Sequence, residues 1–432
     1  MKGKQLFAAT AALTVGLAGL TACGGGSDGG SGDSGGKVTL SVWHNATTGP
    51  GGDWWTKAGA DFEAAHPNVK VELQVVQNED YDGKLQTALN AGEAPDIFMQ
   101  RGGGKMAAMA KAGQLMDLAD SVTPETKSVI NEAAFKPGTI DGKLYSMPLT
   151  VLPGGFFYSK DLFAKAGVTT PPATITELQA AVEKLKATKV APIALGGKDA
   201  WPAAHYYYFF AVRECSAATI TDTAKNLSFT DPCWVKAAER LKALADSKPF
   251  NEGFLTTSAQ QGAGSSAGLV ANHKAAMELM GAWDAGVIGS LTPDAKPLAD
   301  LDWFPFPSVE GGAGDPGAML GSVGGNSCWA KAPKAECTAF LNFLATTPLQ
   351  EGYYRAFQAP PVNSKAQAVV TEPYLKSVIE AFNKAPFVSE WLDTVYGQNI
   401  GNALNTSVVD LLAGKTDAPG IVKAVQSAAK KA

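Results

Sequence analysis

Two stretches near the start of the chain alternate apolar with polar residues. Residues 38–43 place Val, Leu and Val at every second position, and residues 69–75 repeat the pattern. A period of two is typical of a strand with one buried face. Between these stretches, Asp53 is predicted to cap a helix that ends before Pro67.

The same order continues downstream. The pattern predicts a helix over residues 81–90 and a buried strand over residues 95–99. Strand, helix and strand in this order are typical of right-handed βαβ units with parallel strands. Because the carboxyl ends of parallel strands line one crevice, the polar loops 44–52, 77–80 and 100–104 are expected to converge there.

A change in pattern predicts a second lobe. Residues 144–158 are extended, apolar and interrupted by prolines, as expected for a segment that crosses between lobes. Thr174 and Glu177 then form a capping box before an amphipathic helix, and a short apolar strand ends at Gly196. Residues 303–317, rich in aromatic residues, proline and glycine, are predicted to form the return crossing.

The last third of the chain combines short strands with helices. Residues 262–268 are small and polar, which favours a loop, and the apolar run from residue 275 ends at Gly281. Residues 320–329 predict a strand with a loop at 324–326. From Thr338 onward the pattern is mainly helical.

Length and composition agree with two lobes and disfavour nucleic acid as a partner. The 432 residues, 45% apolar and 18% charged, are too many for one core, so lobes of roughly 150–200 residues are expected. The net charge of −5 and the pI near 5.5 provide no basic surface.

The N-terminus predicts export. Residues 1–22 are predicted to be a signal peptide, because an apolar run too short for a stable membrane span follows two lysines. Leu20–Cys23 resembles the bacterial lipobox, which implies a diacylated Cys23 at the start of the mature protein. Residues 23–36 would then be the lipidated cysteine and a Gly/Ser/Asp tether with a reach of about 20 Å. Ordinary secretion is the alternative.

Four further cysteines suit an oxidising compartment. Cys215, Cys233, Cys328 and Cys337 allow three pairings, and proximity favours Cys215 with Cys233 and Cys328 with Cys337. A metal site is the alternative, but the chain has no Cys-x-x-Cys and no histidine near either pair.

Candidate ligand chemistry follows the strand that ends at Gly196. Lys198, Asp199 and Trp201 come directly after it, and Pro202 opens a helix crowded with aromatic residues. A charged pair beside a flat ring suits a sugar, which has hydroxyls at its edge and apolar C–H faces. The alternative is a strand-to-helix loop in which Trp201 anchors the core.

A similar arrangement recurs about eighty residues later. Trp283 and Asp284 lie just beyond Gly281, where another apolar strand ends. For Trp283 alone, core packing is the alternative.

Several short motifs, taken together in this order and spacing, resemble the extracellular solute-binding proteins of ABC importers. The resemblance is to the large carbohydrate-binding group that includes maltose-binding protein, and it spans nearly the whole mature chain. The motifs are the lipobox, the strand end Val42–Trp43, Ala94-Pro95-Asp96-Ile97, Tyr158-Ser159-Lys160-Asp161-Leu162, Ala275-Ala276-Met277 with Gly281-Ala282-Trp283, and Pro361-Val362-Asn363.

This resemblance implies a two-lobed α/β fold of the periplasmic-binding-protein type II, each lobe a mostly parallel sheet flanked by helices, with several hinge crossovers. The first lobe is expected to comprise residues 37–150 and 315–345, and the second residues 151–314 and 346–432. A sugar would be held between the lobes of a monomer, without a metal or other cofactor.

The resemblance and the strand-end loops together predict the ligand contacts. Trp283 matches the stacking tryptophan of the family. At residues 100–104 the chain departs from maltose-binding protein, which disfavours maltodextrin. The predicted contacts are His44, Asn45, Asp80, Gln100, Arg101, Lys198, Asp199, Trp201, Trp283, Asp284 and Asn326.

The function implied is that of a lipid-anchored receptor on the extracellular face of the membrane. It would bind a short oligosaccharide, with a xylobiose-like xylo-oligosaccharide as first choice, and deliver it to ABC permease subunits. Cello-, malto-, chito- or raffinose-type sugars and a secreted glycoside hydrolase are the alternatives. No acidic pair or Ser-His-Asp set in the sequence points to catalysis. Of four histidines only His44 and His205 lie near the expected crevice, which disfavours a metal receptor.

Overall fold

The computed structural model describes residues 37–47 and 49–431. The predicted signal peptide, Cys23 and the tether lie outside these residues. Within them, no helix combines the length and apolar character that crossing a bilayer requires.

Strands form where apolar residues alternate or run together, as the sequence predicts. In the opening strand, Leu40 and Val42 face the core. The residues that follow each of them, Ser41 and Trp43, are less buried. The strands are β1 Val38–His44, β2 Val69–Val75, β3 Ile97–Gln100, β4 Thr139–Ile140, β5 Lys143–Leu144, β6 Met147–Ser159, β7 Ala191–Ala194, β8 Ala275–Gly281, β9 Leu301–Phe304, β10 Met319–Cys328 and β11 Val388–Ser389.

Helices cover the faces of the sheet. The bounds of the first nine are α1 Gly51–Ala65, α2 Asn78–Ala91, α3 Gly103–Lys111, α4 Pro124–Val129, α5 Glu132–Phe135, α6 Lys160–Lys165, α7 Ile175–Lys186, α8 Trp201–Glu214 and α9 Ala217–Asn226. The others are α10 Cys233–Asp246, α11 Ser266–Ala271, α12 Asp284–Ser290, α13 Lys334–Leu344, α14 Thr347–Phe357, α15 Pro373–Lys384, α16 Leu392–Val395, α17 Gln398–Leu412 and α18 Ala418–Ala429.

The sheet has the order β2-β1-β3-β10-β6-β8-β7, with β9 pairing β6 and β11 pairing β10. The first three strands are parallel, as predicted, and so are β7 and β8. However, β10 is antiparallel to β3 and β6, and β6 is antiparallel to β8 and β9. The sheet is therefore mixed rather than mostly parallel, because β6 and β10 run through it in opposite directions.

The long strands β6 and β10 join two lobes. We call the layers built on β1, β2 and β3 the first lobe, and those built on β7, β8 and β9 the second lobe. The end of β10 pairs with β3 on one side and with the start of β6 on the other, whereas the rest of β6 pairs with β8 and β9. The predicted crossing at 144–158 is thus a strand. The return is made by β10 itself, after the predicted segment 303–317.

Separate hydrophobic clusters fill the two lobes. In the first lobe, α1 and α13 cover one cluster and α2 and α3 another. In the second lobe, α8 is buried along almost its whole length, because its aromatic residues pack on both β6 and α10. Helix α14 contributes Tyr353 to a first-lobe cluster and Tyr354 to a second-lobe cluster. The exact lobe boundaries, including the assignment of residues 346–432, stay a prediction.

Several local predictions are wrong, among them the loop at 262–268, since α11 begins at Ser266. Helix α1 begins at Gly51, with Asp53 in its first turn rather than at the cap. Helix α2 begins at Asn78, so most of the expected loop 77–80 is helical. Strand β10 continues through 324–326, where a shift in register between Gly324 and Gly325 replaces the predicted loop. Glycine favours a loop in isolation, but here pairing with β6 on one side and β3 on the other keeps the backbone extended.

The four cysteines form the two pairs that their proximity in the sequence favours. Cys215 and Cys233 lie in disulfide geometry with Cα atoms 5.1 Å apart, and Cys328 and Cys337 do so at 6.3 Å. The first pair joins the end of α8 to the start of α10, and the second joins the end of β10 to α13.

Replacing both Cys215 and Cys233 by alanine is expected to lower the free energy of unfolding by about 3 kcal/mol, because a cross-link restricts the unfolded chain. Denaturant unfolding without reductant measures the loss. The Cys328→Ala, Cys337→Ala variant is the matched control. Its loop of 9 residues is half the 18 of the first pair, so its loss should be about 0.6 kcal/mol smaller. Equal stability of the first variant and the wild type would contradict the bond.

Candidate functional site

A cleft of about 690 Å³ lies between the two lobes. This volume is within the usual range for sites that bind small molecules. The three loops expected to converge do meet here, since His44, Asn78 and Arg101 all line the cleft. The predicted contacts found in the lining are His44, Asn45, Gln100, Arg101, Asp199, Trp201, Trp283 and Asn326.

Three indoles and an imidazole form an aromatic wall on the second-lobe side. The ring of Trp283 lies 6.2 Å from that of Trp201 and 5.7 Å from that of Trp391, between centroids. His205 stacks on Trp391 at 4.1 Å. Burial lowers the pKa of His205 to about 3, so this ring is neutral at pH 7. The wall is therefore flat, apolar and uncharged.

Strand geometry places two of these indoles. Because β7 and β8 are parallel, the residues that follow them emerge at the same edge of the sheet. Trp201 opens α8 after β7, and Trp283 precedes α12 after β8. A Cβ atom on Gly281 would lie 2.0 Å from the Trp283 ring, so only glycine at this position lets the indole fold back over the strand end.

Buried polar atoms also lie within the aromatic wall. The Nε1 atoms of Trp201 and Trp391 and the Nδ1 atom of His205 are buried without a hydrogen-bond partner among the described residues. Asn326, on β10, has an unpartnered Oδ1 atom and also lines the cleft. A buried polar atom without a partner costs on the order of 1 to 3 kcal/mol.

The first-lobe wall adds a second stack. His44 lies parallel to Trp55, with 5.2 Å between ring centroids and 7° between planes. The backbone N–H of Ala46 donates to His44 Nδ1 at 3.2 Å. Burial lowers the pKa of His44 to about 4, so this ring too is neutral at pH 7.

Charged residues form a network beside this stack. Arg101 Nε and Lys105 Nζ contact the two oxygens of Asp82 at 2.6 and 2.7 Å. Burial alone would raise the pKa of Asp82, but the charges of Arg101 and Lys105 outweigh it and lower the pKa to about 2. Arg101 Nη2 also donates to Asn78 Oδ1 at 2.9 Å. The network fixes the guanidinium and leaves one net positive charge.

Asp82 and Lys105 were not among the predicted ligand contacts. One signal was available, because Asn78 and Asp82 are four residues apart and therefore share a helix face. That signal requires α2 to begin at Asn78, whereas the predicted helix begins three residues later.

The end of the cleft near α16 was missed entirely. Glu390, Trp391 and Asp393 line it, together with Asn405 from α17. Asn405 Nδ2 donates to Asp393 Oδ2 at 3.2 Å. Burial raises the pKa of Glu390 well above its usual value, and the charge of Asp393 adds to this effect. Glu390 and Trp391 directly follow β11, but this strand has only two residues and is too short to be predicted from an alternating pattern.

Three predicted contacts lie outside the lining. The Lys198 side chain is exposed to solvent, and Asp80 is exposed on α2, where it pairs with Lys84 at 3.5 Å. Asp284 has no exposed surface, because the first turn of α12 directs it into the second lobe. Asp199 does line the cleft, but it also accepts a hydrogen bond from the backbone N–H of Ala259 at 2.7 Å.

Side chains from both lobes meet at the mouth of the cleft. Gln261 Nε2, in the second lobe, donates to Gln77 Oε1 at 3.2 Å and to Glu79 Oε2 at 3.5 Å, both in the first lobe. These exposed hydrogen bonds are the mouth contacts.

Comparison with known proteins agrees with this architecture. An uncharacterised ABC transporter extracellular-binding protein of Pyrococcus horikoshii is 28% identical over 59% of this chain and 59% of its own length. The aligned part of this chain thus spans less than two thirds of that relative. The diacetylchitobiose-binding protein of Streptomyces coelicolor is 26% identical over 94% of each chain.

A solved structure gives the same fold. It comes from a study of xylan utilization by the bacterium Caldanaerobius polysaccharolyticus, and it has a TM-score of 0.84 and 26% identity over 90% of this chain and 99% of that one. The two-lobed α/β fold is therefore confirmed. The family model for bacterial extracellular solute-binding proteins matches residues 45–351. Because of this match, the chain belongs to the bacterial extracellular solute-binding proteins.

Proposed function

We propose that this protein binds a short oligosaccharide in the cleft between its lobes and presents it to the permease of an ABC importer. The observation that carries the proposal is the aromatic wall of Trp201, Trp283 and Trp391 beside unpartnered polar atoms. Family membership supports the transport role, and the named relatives support a carbohydrate.

The wall and the polar residues suit the two surfaces of a sugar. A pyranose ring presents C–H groups on its faces, and these pack on the neutral indoles. Its hydroxyls lie at the edge, where Asn45, Asp199 and Arg101 can donate or accept hydrogen bonds. Because Asp82 already pairs with Arg101, the guanidinium does not require an anionic ligand.

We propose a xylobiose-like xylo-oligosaccharide as the ligand. The similarity to the structure from work on xylan utilization supports this choice. A diacetylchitobiose-type sugar is the second candidate, because the Streptomyces relative that binds it matches 94% of this chain.

The anchoring and location of the protein are part of the same proposal. The sequence Leu20–Cys23 supports a diacylated Cys23, with residues 24–36 as a tether. A receptor held in this way would act as a monomer at the extracellular face of the membrane, close to its permease.

A thermal-shift screen with xylo-, cello-, malto-, chito- and raffinose-type oligosaccharides is expected to give the largest rise in Tm with xylobiose. A ligand at a hundred times its Kd adds about 2.7 kcal/mol to the stability of the folded state. A larger rise with diacetylchitobiose would transfer the assignment to chito-oligosaccharides. No rise with any of the sugars would overturn the oligosaccharide proposal.

Trp283→Ala is expected to weaken sugar binding by at least about 2 kcal/mol, because buried aromatic anchors dominate such sites. Isothermal calorimetry measures the change. Trp329→Ala is the control: this indole lies outside the cleft lining, with Lys331 at 5.2 Å from its ring, and its loss should leave the affinity unchanged. Equal effects of the two substitutions would remove Trp283 from the site.

Incubation with xylobiose is expected to return the disaccharide intact, as chromatography of the products would show. This separates a receptor from a glycoside hydrolase, for which Glu390 and Asp393 are two of the carboxyls in the cleft lining. Release of xylose by the wild type, and its loss in Glu390→Gln, would establish the hydrolase instead.

A further inference from the structure

Two carboxyl groups are buried behind the aromatic wall, outside the cleft lining. Glu278 lies in β8 with 1% of its surface exposed, and Asp284 begins α12 with none exposed. The turn between them holds Gly281 and Trp283. The two acids therefore bracket the segment that carries the central indole of the wall.

Among the residues that the structure describes, no basic side chain faces either acid. Glu278 lies opposite Phe157 of β6 and Ala194 of β7 in the sheet. Tyr206 of α8 and Ser266 of α11 are the other polar residues that face it. The hydroxyl of Ser266 donates to the carbonyl of Ala259 at 3.0 Å, so its proton is already in use.

Two groups in the described part of the chain remain as hydrogen-bond partners for Glu278: the carboxyl of Asp284 and the hydroxyl of Tyr206, which is also unpartnered. None of their four oxygens accepts a hydrogen bond from an N–H or O–H group of the described residues. Two adjacent carboxylates with almost no exposed surface are not both ionised at neutral pH, because burial removes them from the solvent that would offset their charge. A protonated carboxyl can, however, donate a hydrogen bond to its neighbour.

We propose that Glu278 and Asp284 share a proton and that this hydrogen bond holds the turn that places Trp283 in the cleft. The two acids are positioning residues and do not touch the ligand. The effect on sugar binding rests on the proposed function, whereas the effect on the turn does not.

The turn has little freedom to adjust if the hydrogen bond is lost. The Trp283 ring folds back over Gly281, where even a single added carbon would lie 2.0 Å from the ring. Repulsion between two carboxylates would push the end of β8 away from the start of α12. Because Trp283 is the last residue before α12, its ring would move with the helix.

The direction of the pH dependence follows from the burial. Burial, followed by the charge of Asp284, raises the pKa of Glu278, and burial also raises the pKa of Asp284. An acid with a raised pKa in the folded state contributes its full stability below its unfolded pKa of about 4. That contribution is lost as the pH rises towards the folded-state pKa. The turn should therefore loosen on the alkaline side.

The test uses Asp284→Asn and Glu278→Gln, which keep the shape and a hydrogen bond but cannot ionise. Between pH 5 and pH 9 the Tm of the wild type should fall further than that of either variant, by about 2 °C or more. Asp246→Asn, at an exposed acid paired with Lys242, is the control and should follow the wild type.

Two further readouts address position rather than stability. Wild-type tryptophan fluorescence should change between pH 7 and pH 9, and Trp283→Phe should abolish that change. Sugar affinity of the wild type should fall about fivefold over the same range, a typical coupling between sites, and that of Asp284→Asn should not.

Parallel pH profiles of Tm and fluorescence for the wild type and both amide variants would overturn the proposal. A protein that binds none of the sugars tested would refute the proposed function alone, because the Tm and fluorescence profiles need no ligand.

Discussion

The antiparallel pairing of β6 with β10 is the constraint on which the site depends. These strands pass between the lobes side by side, and their register fixes where the two lobes join. The pairing needs small residues: a Cβ atom on Gly321 would lie 2.7 Å from Pro153 Cα, and one on Gly325 would lie 2.4 Å from the carbonyl oxygen of Met147. The glycines of β10 are thus required for close approach rather than for a loop.

The two lobes that these strands join contribute different chemistry to the cleft. The second lobe supplies a neutral aromatic surface, because Trp201 and Trp283 follow parallel strands and His205 is too deeply buried to be charged. The first lobe supplies the ordered cation of Arg101, held by Asp82. A neutral ligand with apolar faces and a polar edge matches the aromatic surface and adds no charge to the ordered network.

The sequence allowed prediction of those parts of the site that depend on local order. Asn45, Trp201 and Trp283 follow strands that the pattern predicts, Gln100 ends one, and all four line the cleft. Trp391 was missed because the strand before it, β11, has only two residues and leaves no alternating pattern in the sequence. Asp284 was assigned to the ligand from its position beside Trp283, but the helix that starts there turns its side chain inward.

The mouth contacts bear on how long a ligand stays bound in the cleft. Gln261 bonds to Gln77 and Glu79 at the surface, where water competes for every one of these groups. Such bonds contribute little net free energy, so they hold the two lobes together only weakly. The time that a ligand stays in the cleft would then depend on its own contacts with the cleft walls rather than on the mouth contacts.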